Sequence, residues 1–222
     1  MRMPTSSPDF PAHFHQRLWP GCETIFYADA MTELFADDSR SNRERMLAGD
    51  PYIADAELAQ LSQQALSRTY EYERAYLEDP ASARRILENL IGELGTGVDI
   101  RPPLRVDYGS NISIGEGTFI NFNFTALDVA PIKIGADCQI GPNVQLLTPT
   151  HPLDPEERRS KIESAQPITL GDNVWLGGGV VIVPGVSIGH NSVIGAGAVV
   201  TRDIPAGVVA AGNPARVIKQ LA

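Results

Sequence analysis

The chain has 222 residues, 43% of them hydrophobic and 20% charged, with a formal net charge of −9 at pH 7. That length suits one large domain, or a domain with an appendage, around a substantial core. The acidic balance argues against a general nucleic-acid or anionic-membrane surface, while leaving room for one local basic pocket that takes a phosphorylated ligand.

No uninterrupted apolar run approaches the roughly 18 residues of a membrane span, and Met1-Arg2-Met3-Pro4-Thr5-Ser6-Ser7-Pro8 opens no signal-peptide core. The expectation is a cytoplasmic protein without a membrane partner. Cys22 and Cys138 stand far apart and are expected to stay reduced, Cys138 as packing material at a corner.

Residues 1–40 form an N-terminal extension to which no role is assigned. Pro4, Pro8, Pro11 and Pro20 break any early helix, while 23–35 has the pattern of a short amphipathic one. His13 and His15 lack a third ligand and read as ordinary surface residues.

Residues 41–97 read as a helical cap. Ser41 with Glu44 makes a capping box for a helix through Met46 and Leu47, broken by Gly49-Asp50-Pro51. Asp55 caps a longer helix carrying Leu58, Leu61, Ala65, Leu66, Tyr70 and Leu77, which Asp79-Pro80 stops. A third helix is expected over 82–94, with Ile86, Leu87, Leu90, Ile91 and Leu94 on one face.

The coil proper is expected over 98–208. An aliphatic residue recurs at every sixth position in Leu170, Leu176, Ile182, Ile188, Ile194 and Val200, and glycine follows four of them, at 171, 177, 189 and 195. A period of six fits neither a helical face nor a simple amphipathic strand. It fits a parallel β-helix of hexapeptide repeats, each short face giving one inward aliphatic residue and then a corner, where glycine suits unusual backbone angles. Upstream, Ile100, Val106 and Ile112 step by six, then Ile114 and Ile120 in a shifted frame, then Ile134, Ile140 and Leu146. The disturbance between Ile120 and Ile134 is a candidate functional break. A second break, the extruded loop at 148–167, is too rich in proline and charge to be coil. Residues 209–222 are a tail.

His151 stands where that loop leaves the coil and is a candidate general base near neutral pH. His190 reads as an exposed corner residue. Asp107, Asn121 and Asp128 lie at or near coil faces and read either as ordinary polar corner residues or as contacts for a hydroxyl-rich ligand. Trp175 precedes inward Leu176 and is expected to point outward, as an interface or ligand platform. Arg202, Arg216 and Lys219 stand out in so acidic a chain and are suited to phosphates.

From about residue 46 onward the chain resembles the maltose, galactoside and nodulation-factor acetyltransferases of the hexapeptide-repeat class. The pieces that carry the resemblance include Met46-Leu47-Ala48-Gly49, Tyr108-Gly109-Ser110-Asn111-Ile112, Asn121-Phe122-Asn123 and Thr148-Pro149-Thr150-His151-Pro152-Leu153. They continue through Asn173-Val174-Trp175-Leu176-Gly177, Ile194-Gly195-Ala196-Gly197, Val199-Val200-Thr201-Arg202-Asp203-Ile204-Pro205 and Gly212-Asn213-Pro214-Ala215-Arg216. The resemblance implies a mainly β fold, a left-handed parallel β-helix with an N-terminal helical cap and an extruded loop. It implies a homotrimer with active sites between subunits, acetyl-CoA as co-substrate, no required metal and no nucleic acid.

It also implies roles. His151 matches the general base and Asn121 a residue near acceptor and acetyl group, while Asp107 and Asp128 fall on the acceptor side and Trp175 in a wall. Gly178 matches the position whose N–H meets the oxyanion, and Ala196, Thr201, Arg202, Arg216 and Lys219 line the CoA arm. Two departures stand out. The acid usually found just after the cap aromatic is missing at Ile53-Ala54 and appears at Asp55, which becomes the candidate cap contact to the acceptor. Val129 stands where the galactoside type has an acid. The implied activity is O-acetylation of a sugar-like hydroxyl, with a non-sugar acceptor (serine, antibiotic or amino sugar) or a non-catalytic trimeric scaffold as alternatives.

Overall fold

In a computed structural model of the chain, residues 35 and 37–221 are described. The expectations for residues 1–34, among them most of the 23–35 helix, His13, His15 and Cys22, lie outside them. Residues 40–222 form one compact unit. None of its helices is long and apolar enough to cross a membrane.

The cap begins with α1 (Asn42–Ala48), closed at its start by the capping box. Ser41 Oγ accepts from Glu44 N at 3.1 Å and Glu44 Oε2 accepts from Ser41 N at 2.7 Å. Gly49 ends it at φ 79°, a left-handed value that glycine takes without strain. After β1 (Tyr52–Ile53), Asp55 caps α2 (Ala56–Glu78), and Asp79 caps α3 (Pro80–Leu90) with proline in its first turn. The buried stripe Ala65, Tyr72, Ala83, Leu87 and Leu90 lies on the first coil, where the Tyr72 hydroxyl donates to the Ile100 carbonyl.

The third helix stops at Leu90 instead of running to residue 94. Gly92 passes so close to the next turn that a Cβ there would sit 2.3 Å from the Ser110 carbonyl oxygen. The chain is therefore already extended, and the coil starts at β2 (Glu93–Leu94), ahead of residue 98.

Three faces make up the solenoid. The first stacks β2, β5 (Ile112–Ile114), β8 (Ile132–Ile134), β13 (Ile168–Leu170) and β16 (Ser187–Ile188). The second stacks β3 (Asp99–Ile100), β6 (Phe119–Ile120), β9 (Gln139–Ile140), β14 (Trp175–Leu176), β17 (Val193–Ile194) and β19 (Val208–Ala211). The third stacks β4 (Leu104–Val106), β7 (Phe124–Leu127), β10 (Gln145–Leu147), β15 (Val181–Ile182) and β18 (Val199–Val200). All of these pairings are parallel, giving five complete turns and the start of a sixth. The coil thus runs to Ala211, beyond the expected 208. The last strand, β20 (Arg216–Gln220), turns back antiparallel on β19.

The six inward aliphatics of the main run are at most 2% exposed, each contributing about 1.5–3 kcal/mol of burial. The glycines after them serve a different purpose from the one expected. They do not take left-handed angles; those fall two residues later, at Asn173, Gly179, Asn191 and Gly197. Instead, successive turns approach so closely that a Cβ on Gly177 would lie 2.6 Å from Ala196 N.

The disturbances upstream have a common origin. Pairing aligns Leu94 with Ile114 and Ile114 with Ile134, so the early turns take 20 residues each, against 18 between Leu170 and Ile188. The missing inward residue after Ile120 is Ala126, wholly buried but too small to register as part of an aliphatic repeat. The surplus sits at the edge joining the third face to the first, in 107–111 and 128–131, and the long loop leaves from the same edge one turn on. Three enlarged corners are stacked.

Candidate active site

The loop is anchored at its exit by Thr148, which is buried, donates to the Leu127 carbonyl at 2.6 Å and accepts from Ala130 N at 3.0 Å. It then forms β11 (Pro149–Thr150), the short helix α4 (Pro155–Arg159) and β12 (Ile162–Ala165). Strand β12 pairs antiparallel with β11 on one side and with cap strand β1 on the other. His151 follows β11 directly and is exposed. Its neighbour Thr150 is pinned by a 2.7 Å hydroxyl contact to Ser164, and Arg158 donates to the carbonyls of Pro152 and Leu153 at 3.0 and 3.1 Å. The imidazole is thus free to reach a ligand while the backbone on both sides is held.

Beside it lies a cluster of acids and tyrosines. Asp128 is fully buried; its Oδ1 accepts from Asp107 N and Tyr108 N at 3.0 and 2.8 Å, and its Oδ2 from Asn111 N at 3.1 Å. Burial pushes its carboxyl pKa up, and those backbone N–H groups pull the other way. Enclosed like this, it touches no ligand. Its part is to shape the corner that presents Asp107, a correction to the expected direct contact. The partly exposed Asp107 has its pKa pushed up to about 6 by burial first, then by the charges of Asp128 and Glu163. Burial and the same acids raise the Tyr108 hydroxyl, and burial with the Glu163 hydrogen bond raises that of Tyr52.

Asp55 is half-buried at the start of α2, where its Oδ1 accepts from Leu58 N at 3.0 Å and its Oδ2 from Asn42 Nδ2 at 3.1 Å, so the candidate cap contact also builds the cap.

The other assigned residues lie elsewhere on the prism. Asn121, Gly178 and Ala196 sit on the edge between the second and third faces. Asn121 Oδ1 accepts from Phe122 N at 2.8 Å, leaving its NH₂ group without a partner among the described residues. Pro142, Gly178 and Ala196 occupy the same position in successive turns. Neither Gly178 nor Ala196 donates its N–H to any acceptor among the described residues, which leaves two stacked donors without a partner there. Trp175, on the adjoining second face, is 55% exposed. Thr201 and Arg202 are exposed at the His151 edge, and Arg216 and Lys219 are exposed on β20.

One chain therefore splits the assigned set between the two edges that flank its third face. Sequence reasoning missed Tyr52, Tyr108 and Glu163. Only the pairing of β1 with β12, across 111 residues, brings the first and last together.

A repeated-strand prism with a helical cap and a long loop carrying an exposed histidine is a capped β-solenoid, and the comparisons give the class of protein built on it. Residues 167–202 match the bacterial transferase hexapeptide (six repeats), and residues 45–95 match the maltose acetyltransferase hexapeptide capping motif. Nodulation protein L of Rhizobium meliloti (strain 1021) is 44% identical over 180 residues, 81% of this chain and 98% of that protein. The crystal structure of a maltose O-acetyltransferase from Clostridium difficile 630 superposes with a TM-score of 0.81 at 42% identity, covering 83% of this chain and 100% of that one. A hexapeptide-repeat acetyltransferase from Vibrio cholerae O1 biovar eltor, solved with acetyl-coenzyme A, gives 0.77 at 38% identity, covering 82% of this chain and 100% of that one. The chain belongs to the hexapeptide-repeat acetyltransferase family that includes the maltose and galactoside O-acetyltransferases.

Proposed function

We propose that the protein transfers the acetyl group of acetyl-CoA directly to a hydroxyl of a sugar-like acceptor, with His151 as the general base. The observation that carries this reading is the pair of N–H groups at Gly178 and Ala196, unpartnered among the described residues, on one edge, and the exposed, backbone-anchored His151 on the other. His151 takes the acceptor's proton as its oxygen attacks the thioester carbon. The oxyanion that develops is met by the Gly178 N–H. When the C–S bond breaks, the departing thiolate receives that proton from the imidazole. Asn121 lends its unpartnered NH₂ near the reacting carbonyl, and Asp107 accepts from an acceptor hydroxyl.

The CoA arm fits what the coil offers: Ala196 N–H along the rail, Thr201 and Arg202 at one edge, and Arg216 with Lys219 on β20 for phosphate charge. Because the two edges of one chain carry different halves of the set, a neighbouring copy is needed to bring His151 opposite Gly178. A homotrimer with three intersubunit sites meets that need. A cytoplasmic location belongs to the same reading.

The test is turnover of acetyl-CoA, followed by thiol release, against a panel of sugars, serine and aminoglycosides. Sugar-dependent thiol release that disappears in H151A, with CoA binding retained, supports the reading. Wild-type rates in H151A overturn it.

A further inference from the structure

Arg101 stands on the first turn of the edge that carries Asn121, Gly178 and Ala196. It follows inward Ile100 as Asn121 follows inward Ile120; those two isoleucines pair in register, and Arg101 N donates to the Ile120 carbonyl at 2.8 Å. Arg101 and Asn121 are therefore stacked, at the roughly 4.8 Å spacing of neighbouring strands. The guanidinium lies over two aromatic rings, 5.1 Å from the centroid of Phe119 and 5.2 Å from that of Phe122. Contacts of that length hold the cation through the ring faces and use none of its N–H donors. The half-buried Arg101 side chain has no hydrogen bond or ion pair among the described residues, and Phe122 beside it is 46% exposed. Asp99, in register with Phe119, forms no ion pair with it. Two other arginines beside the same turn are spent. Arg105 is paired with Glu73 and donates to the Leu104 carbonyl at 2.7 Å, and Arg84 donates to Glu88 at 2.8 Å and to the Gly95 carbonyl at 3.1 Å.

Resting on the acetyl-transfer reading above, we propose that Arg101, held on the shelf of Phe119 and Phe122, is a subsite for an anionic group of the acceptor, a carboxylate or a phosphate. An acceptor whose reacting hydroxyl lies at Asn121 needs to reach only one turn, about the width of one sugar ring, to set such a group against the guanidinium. The planar fork offers two parallel N–H bonds to either anion. The two rings keep water from part of the pair, which strengthens it over an ion pair standing in open solvent. With no acid of its own to satisfy, the arginine gains its counter-charge only when that acceptor is bound, and so discriminates between acceptors.

The experiment measures kcat/KM by thiol release for one pyranose in three forms: the methyl glycoside, the carboxymethyl glycoside and the anomeric phosphate. All three keep the same ring hydroxyls, and the last two separate carboxylate from phosphate. The wild type is expected to favour at least one anionic form over the neutral one by about tenfold or more, a ratio that shrinks as salt is added. Arg101→Gln keeps a planar donor and removes the charge; it is expected to abolish most of that preference, chiefly by raising KM for the anionic form. R101E, expected to invert the ratio, is the second variant should R101Q fold poorly. Wild-type rates on both anionic forms equal to or below the neutral one, or an unchanged ratio in folded R101Q, overturn the subsite while leaving the acetyltransferase standing. A change of oligomeric mass in R101Q, read by sedimentation, assigns Arg101 to a contact between copies and overturns it too. Thiol release with none of the three overturns the sugar acceptor itself, and the subsite with it.

Discussion

The Tyr52 hydroxyl donates to the Glu163 carboxylate at 2.6 Å, joining the helical cap to the extruded loop across 111 residues of chain. The same ladder continues through Ser164 to Thr150 and so to the backbone of His151. Cap and extruded loop are therefore one mechanical unit. Tyr52→Phe, which leaves the partly buried carboxylate without its donor, is expected to cost about 1–2 kcal/mol. Denaturant unfolding at matched protein concentration measures it.

On the proposed mechanism, transfer depends on His151 in a way that binding does not. H151A is expected to lower kcat by about 10²–10⁴-fold, with CoA affinity unchanged in a calorimetric titration. A loss of CoA affinity equal to the loss of rate would assign the imidazole to binding instead.

On the proposed reading, adjacent glycines at 177 and 178 separate fold from chemistry. A Cβ on Gly177 meets the Ala196 backbone at 2.6 Å, whereas one on Gly178 comes no nearer than 3.4 Å, to Pro142. G177A is expected to destabilise the coil by about 1–3 kcal/mol, and G178A to fold normally. Gly178→Pro is the sharper probe, because Pro142 already occupies the same position one turn below. It removes the N–H and is expected to cost about 10²–10³ in kcat, read alongside an unchanged circular dichroism spectrum.

Asp107 gives stability a pH dependence with a definite sign. Its folded pKa, about 6, lies above the ordinary carboxylate value, so the native state holds a proton that the unfolded chain has released. Its contribution is full below about pH 4 and is lost as pH rises through 6. D107N removes that term. The stability of D107N relative to wild type is expected to rise by on the order of 2 kcal/mol between pH 4 and 7. Paired denaturant titrations at the two pH values check it.

The exposed cations of β20 predict a salt effect. R216A and K219A are each expected to raise the KM for acetyl-CoA several-fold at low ionic strength, with the difference shrinking as salt screens the phosphates. KM for the acceptor should not move.

The six-residue spacing was enough to read the solenoid, because a repeat that buries one aliphatic per face writes itself into the sequence. Where Ala126 fills an inward position the signal faded, since alanine does not stand out as an inward aliphatic. The break after Ile120 therefore looked longer than it is. His151, Asn121 and Gly178 were legible as residues, yet not their division between two edges, which follows from how each turn closes. Asp128 looked like a ligand contact because a resemblance carries a residue type to a position but not the three backbone N–H groups that its buried carboxylate accepts from. Glu163 gave no local sign at all; its setting depends on a strand pairing that hexad periodicity does not encode.

The stacked surplus at one edge has a consequence for how such a chain changes over time. Each turn closes on the same two uninterrupted edges, so length added at the third is absorbed there and leaves the pitch of the rest untouched. On the proposed reading, the donor-binding rail and the acceptor-facing corner can then drift at different rates. Loops lengthened, shortened or recharged at that single edge would give a lineage new acceptors while the machinery for handling the acetyl donor stayed as it was.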